Sequence, residues 1–244
     1  VSAGSGRIDL TGKLLAEMKY TRVAFELDKI SMAVIPVSTA GQKHSPSAWK
    51  MTNAMESWSW EGCEGKKTKV EVYARAASVS LFLNGNRIGT RKPHKDCKVV
   101  FPVKYANGEL KAIAYDANGK EIATTSLSTA GKETRLTLEP ELRRVQCDGD
   151  LCYIRMRYTD ENGVLKPMIR GDIKVEVENA TLIGLGSACP YYEKSYLGNV
   201  SDTYYGEAMA IVRPDKAGTI VVKADSPYGS ASCTIVAEEA QEDK

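Results

Sequence analysis

Apolar and polar residues alternate along most of the chain from residue 68 to the C-terminus. In the run 69–74, Val70, Val72 and Ala74 share one face, which is the period of a strand and not of a helix. Asn-Gly pairs separate successive runs, and this dipeptide is favoured where both turn residues need positive φ. The pairs lie at residues 84–85, 107–108 and 118–119. The pattern predicts antiparallel strands joined by tight turns.

A second cycle of strands begins after residues 129–132. Its apolar positions again alternate with polar ones, and its expected strands cover residues 154–158, 173–178, 208–212, 219–224 and 232–237. Each half thus carries about six or seven short strands, the number that an immunoglobulin-like sandwich requires. We expect an all-β fold with two consecutive immunoglobulin-like antiparallel β-sandwiches, over residues 55–130 and 131–244.

The first 54 residues have a different pattern. An imperfect apolar stripe between Gly12 and Asp28 predicts a short helix. Its apolar members are Leu14, Leu15, Met18, Ala24 and Phe25. A strand is expected over residues 31–37, and residues 38–46 have the composition of a loop. We expect this segment to pack on the first sandwich or to self-associate, because water-exposed apolar side chains are unfavourable.

Charge and hydropathy exclude two classes of partner. Lysine and arginine number 33 against 31 aspartates and glutamates, so the net charge of +2 gives no reason to expect nucleic acid. No apolar run approaches the roughly 20 residues that cross a bilayer, so no membrane is expected. The chain begins without Met or a signal-peptide pattern, and we interpret it as a segment of a longer protein.

Neither cysteine nor histidine forms the spacing of a metal or catalytic site. The six cysteines lack the paired C-x-x-C spacing of zinc sites, although a local disulfide between Cys147 and Cys152 is conceivable. His44 and His94 are 50 residues apart, each in a polar loop sequence. We therefore expect no metal and no cofactor.

Asp148 and Asp150 flank a glycine and are the carboxylates closest to an acid/base pair. On a turn, both would be solvated, would keep pKa values near 3.9 and would offer no proton at neutral pH. Two aspartates also fall short of the 6 to 8 oxygen ligands that calcium needs. We expect neither catalysis nor calcium binding there.

Two groups of aromatic residues are candidate contact sites. Trp58 and Trp60 could stack on a sugar or form an interdomain wedge, and the wedge is favoured because they begin the first sandwich. Tyr191 and Tyr192 belong to a tyrosine-rich loop that suits either a binding edge or the cover of a sheet end.

The order of several short motifs resembles a known family. These motifs are residues 56–62 (ESWSWEG), 64–66 (EGK), 70–73 (VEVY), 81–89 (LFLNGNRIG), 108–112 (GELKA), 128–131 (STAG), 148–151 (DGDL) and 160–163 (DENG). Together they resemble the region that follows the catalytic barrel in bacterial β-galactosidases of glycoside hydrolase family 2. Residues 8–13 resemble, more loosely, the end of that barrel. The resemblance covers nearly the whole chain.

The resemblance implies an accessory region without catalytic residues. Retaining glycosidases use two carboxyl groups about 5 to 5.5 Å apart, and the family carries both glutamates on the barrel, upstream of this segment. Residues 1–54 would then be a remnant of the TIM barrel, and the missing barrel would be the partner. The parent is expected to be a periplasmic or secreted bacterial enzyme.

Two other functions compete with the accessory region. A carbohydrate-binding module is supported by the aromatic residues alone, and an adhesin-like surface repeat is supported by the tandem sandwiches. The adhesin reading explains neither residues 7–50 nor the Trp-x-Trp motif. The fold by itself does not decide between these functions.

Overall fold

A computed structural model describes residues 6–41, 50–93, 95–191 and 193–239. The chain divides into two compact units, the first ending at Ala130 and the second beginning at Gly131. Strands dominate both units, and a single α-helix lies among the described residues. The prediction of an all-β, sandwich-type fold is confirmed.

The described residues of the first unit form one helix and seven strands. In chain order they are α1 (Ala16–Ala24), β1 (Ile30–Val34), β2 (Lys67–Ala74), β3 (Ser78–Leu83), β4 (Asn86–Arg91), β5 (Lys98–Lys104), β6 (Glu109–Tyr115) and β7 (Glu121–Ser128), with a 3₁₀ turn at Val37–Thr39. All pairs are antiparallel and form two sheets, β1-β2-β5 and β4-β3-β6-β7.

The Asn-Gly turns of the first unit only partly follow the prediction. Between β3 and β4, Asn84 and Gly85 both have positive φ, as a two-residue hairpin turn requires. At the other two pairs, among the residues described, only the glycines Gly108 and Gly119 have positive φ. The Asn-Gly pairs therefore predicted where the chain turns at all three places, but only at one of them do both residues have the predicted positive φ.

The N-terminal segment is part of the first sheet. Strand β1 pairs with β2 from Ile30 opposite Ala74 to Val34 opposite Val70. A division between residues 54 and 55 would separate these two paired strands, so it does not describe the fold. Residues 30–34 belong with the first unit because their backbone groups are satisfied by β2.

Helix α1 covers the outer face of this sheet. Ala16 and Val23 are buried in one cluster with Ala33 and Tyr73, and the Tyr20 ring meets the Tyr73 ring edge-on at 5.6 Å. This cover explains why β2 is buried on both faces.

The predicted apolar stripe of the helix was wrong. Phe25 is 76% exposed, and the buried helix residues are Ala16, Glu17 and Val23. The helix ends at Ala24, and Glu26 then adopts positive φ. Phe25 is the C-cap residue and lies outside the last turn of the helix, so it does not share the buried face.

In the second unit, the part of the chain that the structure describes forms nine strands. They are β8 (Arg135–Pro140), β9 (Arg144–Gln146), β10 (Cys152–Thr159), β11 (Ile173–Glu178), β12 (Ala180–Gly186), β13 (Val200–Ser201), β14 (Glu207–Pro214), β15 (Gly218–Ser226) and β16 (Gly229–Glu238). They form the sheets β12-β14-β10-β8 and β13-β11-β15-β16-β9. One pair, β9 with β16, is parallel. The chain thus passes from one sheet to the other between β8 and β9.

One core joins the two sheets of the second unit. It contains Ile154 and Met156 from the first sheet with Val222 and Ile235 from the second, all fully buried. Among the residues described, no helix has the length and apolarity needed to cross a membrane.

Candidate functional site: aromatic clusters of the two units

Trp58 and Trp60 are fully buried in the first unit. The Trp58 Nε1–H donates to the Ala106 carbonyl at 3.0 Å, and the Trp60 Nε1–H donates to the Ser57 carbonyl at 3.3 Å. Each indole therefore satisfies its only polar group inside the protein. No ring face is available for a sugar to stack on.

Tyr105 holds the tryptophan segment in place. Its ring meets that of Trp58 edge-on at 4.8 Å, its hydroxyl accepts the Trp60 backbone N–H at 3.0 Å, and it donates to Asn107 Oδ1 at 3.0 Å. Burial raises the pKa of Tyr105, and the N–H of Trp60 only partly opposes that rise. The phenol stays neutral and bridges two segments that are 45 residues apart in sequence.

Residues 128–130 close the cluster from the other side. The Thr129 hydroxyl donates to the Trp58 carbonyl at 2.9 Å, and the Ala130 N–H donates to Ser59 Oγ at 2.8 Å. The end of the first unit is thereby fastened to its tryptophan segment. The arrangement is that of a structural wedge, within this unit.

The second unit presents its aromatic residues to solvent. Tyr191 is 75% exposed and Leu197 is 85% exposed, Tyr196 is also exposed, and Tyr204 is partly buried. We call these four side chains the tyrosine surface. Tyr192 lies outside the described residues. Among the sequence-predicted contact residues described, Tyr191 is therefore exposed, and Trp58 and Trp60 are not.

A tight turn supports the tyrosine surface. Tyr204 and Glu207 exchange two backbone hydrogen bonds, and the intervening Tyr205 and Gly206 have φ of +49° and +77°. Both turn residues thus occupy the left-handed region, as in the Asn84-Gly85 turn. A tyrosine in that region costs of order 1–3 kcal/mol, and such strain recurs at functional positions.

The hydroxyls of Tyr204 and Tyr205 are uncharged at neutral pH. Burial raises the pKa of Tyr204 to about 12, and the neighbouring Tyr205, Cys189 and Tyr191 add to the rise. The Tyr204 and Tyr205 rings are 4.6 Å apart, edge to face. The surface therefore offers apolar ring area and neutral hydroxyls, a combination that can pack on a protein or a sugar.

A buried carboxylate network lies beneath helix α1. Glu71 accepts the Tyr73 hydroxyl at 2.6 Å and pairs with Lys98 at 2.9 Å, and Glu17 accepts the Thr52 N–H at 3.2 Å. Burial, together with the charges of Glu71 and Glu17, raises the pKa of Tyr73. Each carboxylate is engaged by protein groups, so this network stabilises the helix and sheet contact.

Asp160 and Lys166 bind backbone groups at the beginning of the second unit. Asp160 accepts the N–H groups of Gly131, Asn162 and Val164 at 2.6–2.8 Å. Burial alone would raise the pKa of Asp160, but these three donors and the nearby ammonium of Lys166 lower it below its usual value. The Lys166 ammonium donates to three successive carbonyls, of residues 131–133, at 2.9–3.0 Å.

The other candidate residues from the sequence, the aspartates and cysteines around residue 150, do not form a site. Asp150 accepts the Gln146 N–H at 2.8 Å in an exposed turn, and Cys147 and Cys152 are both free thiols. In the part of the chain that is described, no three residues among His, Cys, Asp and Glu cluster as metal ligands would. His44 and His94 lie outside the described residues.

Two family models match the chain. Residues 136–234 match "Glycoside hydrolase family 2 C-terminal domain 5". Residues 65–123 match a "Domain of unknown function (DUF4982)". The two matches fall on the second and first units, respectively.

Similar proteins come from the same family. A β-galactosidase of Bacteroides ovatus is 29% identical over 146 residues, which are 59% of this chain and 17% of that protein. A glycosyl hydrolase family 2 member from Bacteroides cellulosilyticus has a TM-score of 0.87 at 29% identity, over 97% of this chain and 32% of that one. The chain is a C-terminal region of a family 2 glycoside hydrolase.

A second solved family 2 structure agrees with this assignment. The protein from Bacteroides cellulosilyticus DSM 14838 is 30% identical, with a TM-score of 0.83 over 95% of this chain and 32% of that one. This family 2 region thus spans about a third of the solved relatives that it matches.

Proposed function

We propose that the chain is the non-catalytic C-terminal accessory region of a β-galactosidase-like glycosidase that acts in bacterial carbohydrate metabolism. The observation that carries the proposal is the match over both units to family 2 proteins, one of which is named a β-galactosidase. In this proposal, the two units support a catalytic barrel, and β-galactosides or related glycosides are the substrates of the whole enzyme.

The engagement of the buried carboxylates supports the non-catalytic part of the proposal. A retaining glycosidase needs one carboxyl that holds a proton and one that is free to attack. Glu71 is bound by Tyr73 and Lys98, and Asp160 has a lowered pKa and three backbone donors. Neither carboxylate is placed to give a proton to a substrate.

The exposed apolar side chains of the N-terminal segment support a barrel as the partner. Leu10, Phe25 and Leu27 are each at least two-thirds exposed, at 77%, 76% and 67%. A contiguous exposed apolar patch marks a surface that another protein covers, and in this proposal the three side chains belong to such a patch. Self-association through the same segment is the competing arrangement. The molecular mass of the chain in solution, measured across a concentration series, rises with concentration if the segment self-associates.

The direct test is hydrolysis of a chromogenic β-galactoside by the purified 244-residue chain. We expect only background release, whereas the β-galactosidase of Bacteroides ovatus serves as the positive control. Glu71→Gln and the exposed Glu109→Gln are matched variants. Turnover that follows the chain through purification and is lost in Glu71→Gln, but kept in Glu109→Gln, would overturn the non-catalytic proposal.

A further inference from the structure

Four asparagines of the chain are followed by glycine, and all four are exposed. They are Asn84, Asn107, Asn118 and Asn162. An asparagine before glycine is chemically labile, because glycine has no Cβ to hinder the approach of its backbone nitrogen to the preceding side chain. Since the dipeptide and the exposure are alike at the four positions, a difference in their reactivity has to come from the hydrogen bonds of the fold.

The side chain of Asn84 is anchored at both of its polar atoms. Its Nδ2 donates to the Asn107 carbonyl at 2.8 Å, and its Oδ1 accepts the Glu109 N–H at 2.8 Å. The amide is packed so closely there that a Cβ added to Gly108 would lie 1.8 Å from Asn84 Oδ1. Both hydrogen bonds must break before the side chain can turn toward the nitrogen of Gly85.

The side chain of Asn107 is anchored in the same way. Its Oδ1 accepts the Tyr105 hydroxyl at 3.0 Å, and its Nδ2 donates to Glu64 Oε1 at 3.3 Å. The nitrogen of the following Gly108 is also engaged, because its N–H donates to Thr129 Oγ1 at 3.1 Å. Three contacts therefore oppose a reaction between this side chain and the backbone.

Asn118 and Asn162 lie in two copies of one turn that leaves their side chains free. In each copy an aspartate, Asp116 or Asp160, accepts through Oδ1 the N–H groups two and four residues further along, at 2.9 Å and 2.8 Å respectively. The glycine N–H donates to the carbonyl of the same aspartate, at 3.1 and 3.2 Å. Among the residues that the structure describes, neither asparagine side chain has a hydrogen-bond partner.

We propose that Asn118 and Asn162 are sites of spontaneous deamidation and that the fold protects Asn84 and Asn107. The nitrogen of the following glycine attacks the side-chain carbon Cγ, so that a bond from this nitrogen to Cγ forms and the bond from Cγ to Nδ2 breaks. Ammonia leaves and carries away the proton of the glycine N–H. Water then opens the cyclic imide at either of its two carbonyl carbons, which gives aspartate or isoaspartate.

Deamidation at Asn162 alters a turn that holds a buried carboxylate. Asp160 is 3% exposed, and its second oxygen, Oδ2, accepts the Gly131 N–H at 2.6 Å. Isoaspartate at position 162 inserts one extra carbon into the main chain between the two N–H groups that Oδ1 accepts. The modification therefore acts on the contact at the beginning of the second unit. The same change at Asn118 lies in the turn between β6 and β7.

The test is peptide mapping of the whole chain by mass spectrometry after storage under native conditions at mildly alkaline pH, with the fresh chain as the reference. Trypsin places the four asparagines on separate peptides, 76–87, 105–111, 112–120 and 158–170. We expect the acid form to accumulate in the last two peptides at least about tenfold faster than in the first two, because the anchored asparagines must first break two side-chain hydrogen bonds.

Storage of the unfolded chain is the control for the local sequence. In guanidinium chloride the hydrogen bonds of the fold are lost, and the rates in the four peptides should converge. Equal rates in the native chain contradict the proposal, as does faster deamidation at Asn84 or Asn107. A rate difference that persists in the denaturant also contradicts it, because the fold would then not be the cause of the protection.

A single substitution tests the protection of Asn107. Glu64→Ala removes the acceptor of Asn107 Nδ2, and we expect deamidation at Asn107 to become about two- to fivefold faster while the rate at Asn118 stays the same. Glu61→Ala, at an exposed glutamate of the same segment, is the matched control and should change neither rate. An unchanged rate at Asn107 in a folded Glu64→Ala chain contradicts the protection. The measurement uses no glycoside, so its outcome is independent of the proposed accessory function.

Discussion

The aromatic residues of the two units look alike in sequence but differ in exposure. Trp58 and Trp60 have no exposed surface and satisfy both indole N–H groups, whereas Tyr191 is 75% exposed. The difference arises from partners that are distant in sequence. Tyr105 and Thr129 enclose the tryptophan segment, and the described residues place no comparable enclosure over Tyr191.

This comparison shows how aromatic residues in an accessory domain should be assigned. A buried aromatic ring contributes to the stability of its own unit, because its area is removed from water on folding. An exposed ring contributes nothing comparable to folding and is available to another surface. Substitutions in the first cluster should therefore change stability, and substitutions in the tyrosine surface should not.

The largest effect is expected from truncating the tryptophan wedge. Trp58→Ala should lower the free energy of unfolding of the first unit by about 3–5 kcal/mol, because it leaves a large cavity. The matched exposed variant Tyr191→Ala should change stability by no more than about 0.5 kcal/mol. Urea denaturation measures both. Equal effects of the two variants would remove the distinction between the clusters.

A somewhat smaller effect is expected from Lys166, the buried cation of the second unit. Lys166→Met keeps the side-chain length but leaves three carbonyls without their donor, which should cost about 2–3 kcal/mol. Lys194→Met, at an exposed lysine paired with Asp172, should be nearly neutral. Thermal unfolding of the two variants provides the comparison. Unchanged thermal stability in Lys166→Met would show that water replaces the ammonium as the donor to the three carbonyls.

Removal of one oxygen atom, the Tyr105 hydroxyl, compares the buried and exposed clusters with a smaller change. Tyr105→Phe removes the acceptor of the Trp60 N–H, and we expect a loss of about 1–2 kcal/mol. Tyr191→Phe removes a solvated hydroxyl and should have no measurable effect. Denaturation at neutral pH tests both, and a stable Tyr105→Phe variant would mean that the ring alone holds the segment.

The smallest expected effect is a pH dependence of the second unit that originates from Asp160. Because its folded pKa lies below the ordinary value of 3.8, the ionised carboxylate stabilises the fold above that pH. This stabilisation is lost as the pH falls through the lower, folded pKa. Asp160→Asn should flatten the acid limb of the stability curve, whereas Asp148→Asn should leave it unchanged. A wild-type curve that is flat down to about pH 2 would contradict the assignment.

Local patterns in the sequence were sufficient for the strands and for one turn. Alternation predicted β2 and β10 because each has a face directed at its own core, and Asn84-Gly85 fixed a hairpin because both residues tolerate positive φ. The family resemblance, confirmed by the comparisons, came from the order of many short motifs.

Features that depend on distant segments could not be predicted in the same way. Glu71 and Tyr73 alternate with the inward residues of β2 and would face water without helix α1. The Tyr205-Gly206 turn lacks the asparagine that marks the other hairpin. The burial of Trp58 depends on Tyr105, 47 residues further along, and no local pattern records that contact.

The central claim is that this family 2 region is an accessory region rather than a carbohydrate-binding module. Isothermal titration of the 244-residue chain with galactose-containing oligosaccharides tests it most directly, because Tyr191 of the tyrosine surface is 75% exposed and a sugar could reach its ring. We predict no saturable heat, with Tyr191→Ala indistinguishable from the unsubstituted chain. Saturable heat that Tyr191→Ala abolishes, in a variant of unchanged stability, would contradict the account and assign glycan binding to the tyrosine surface.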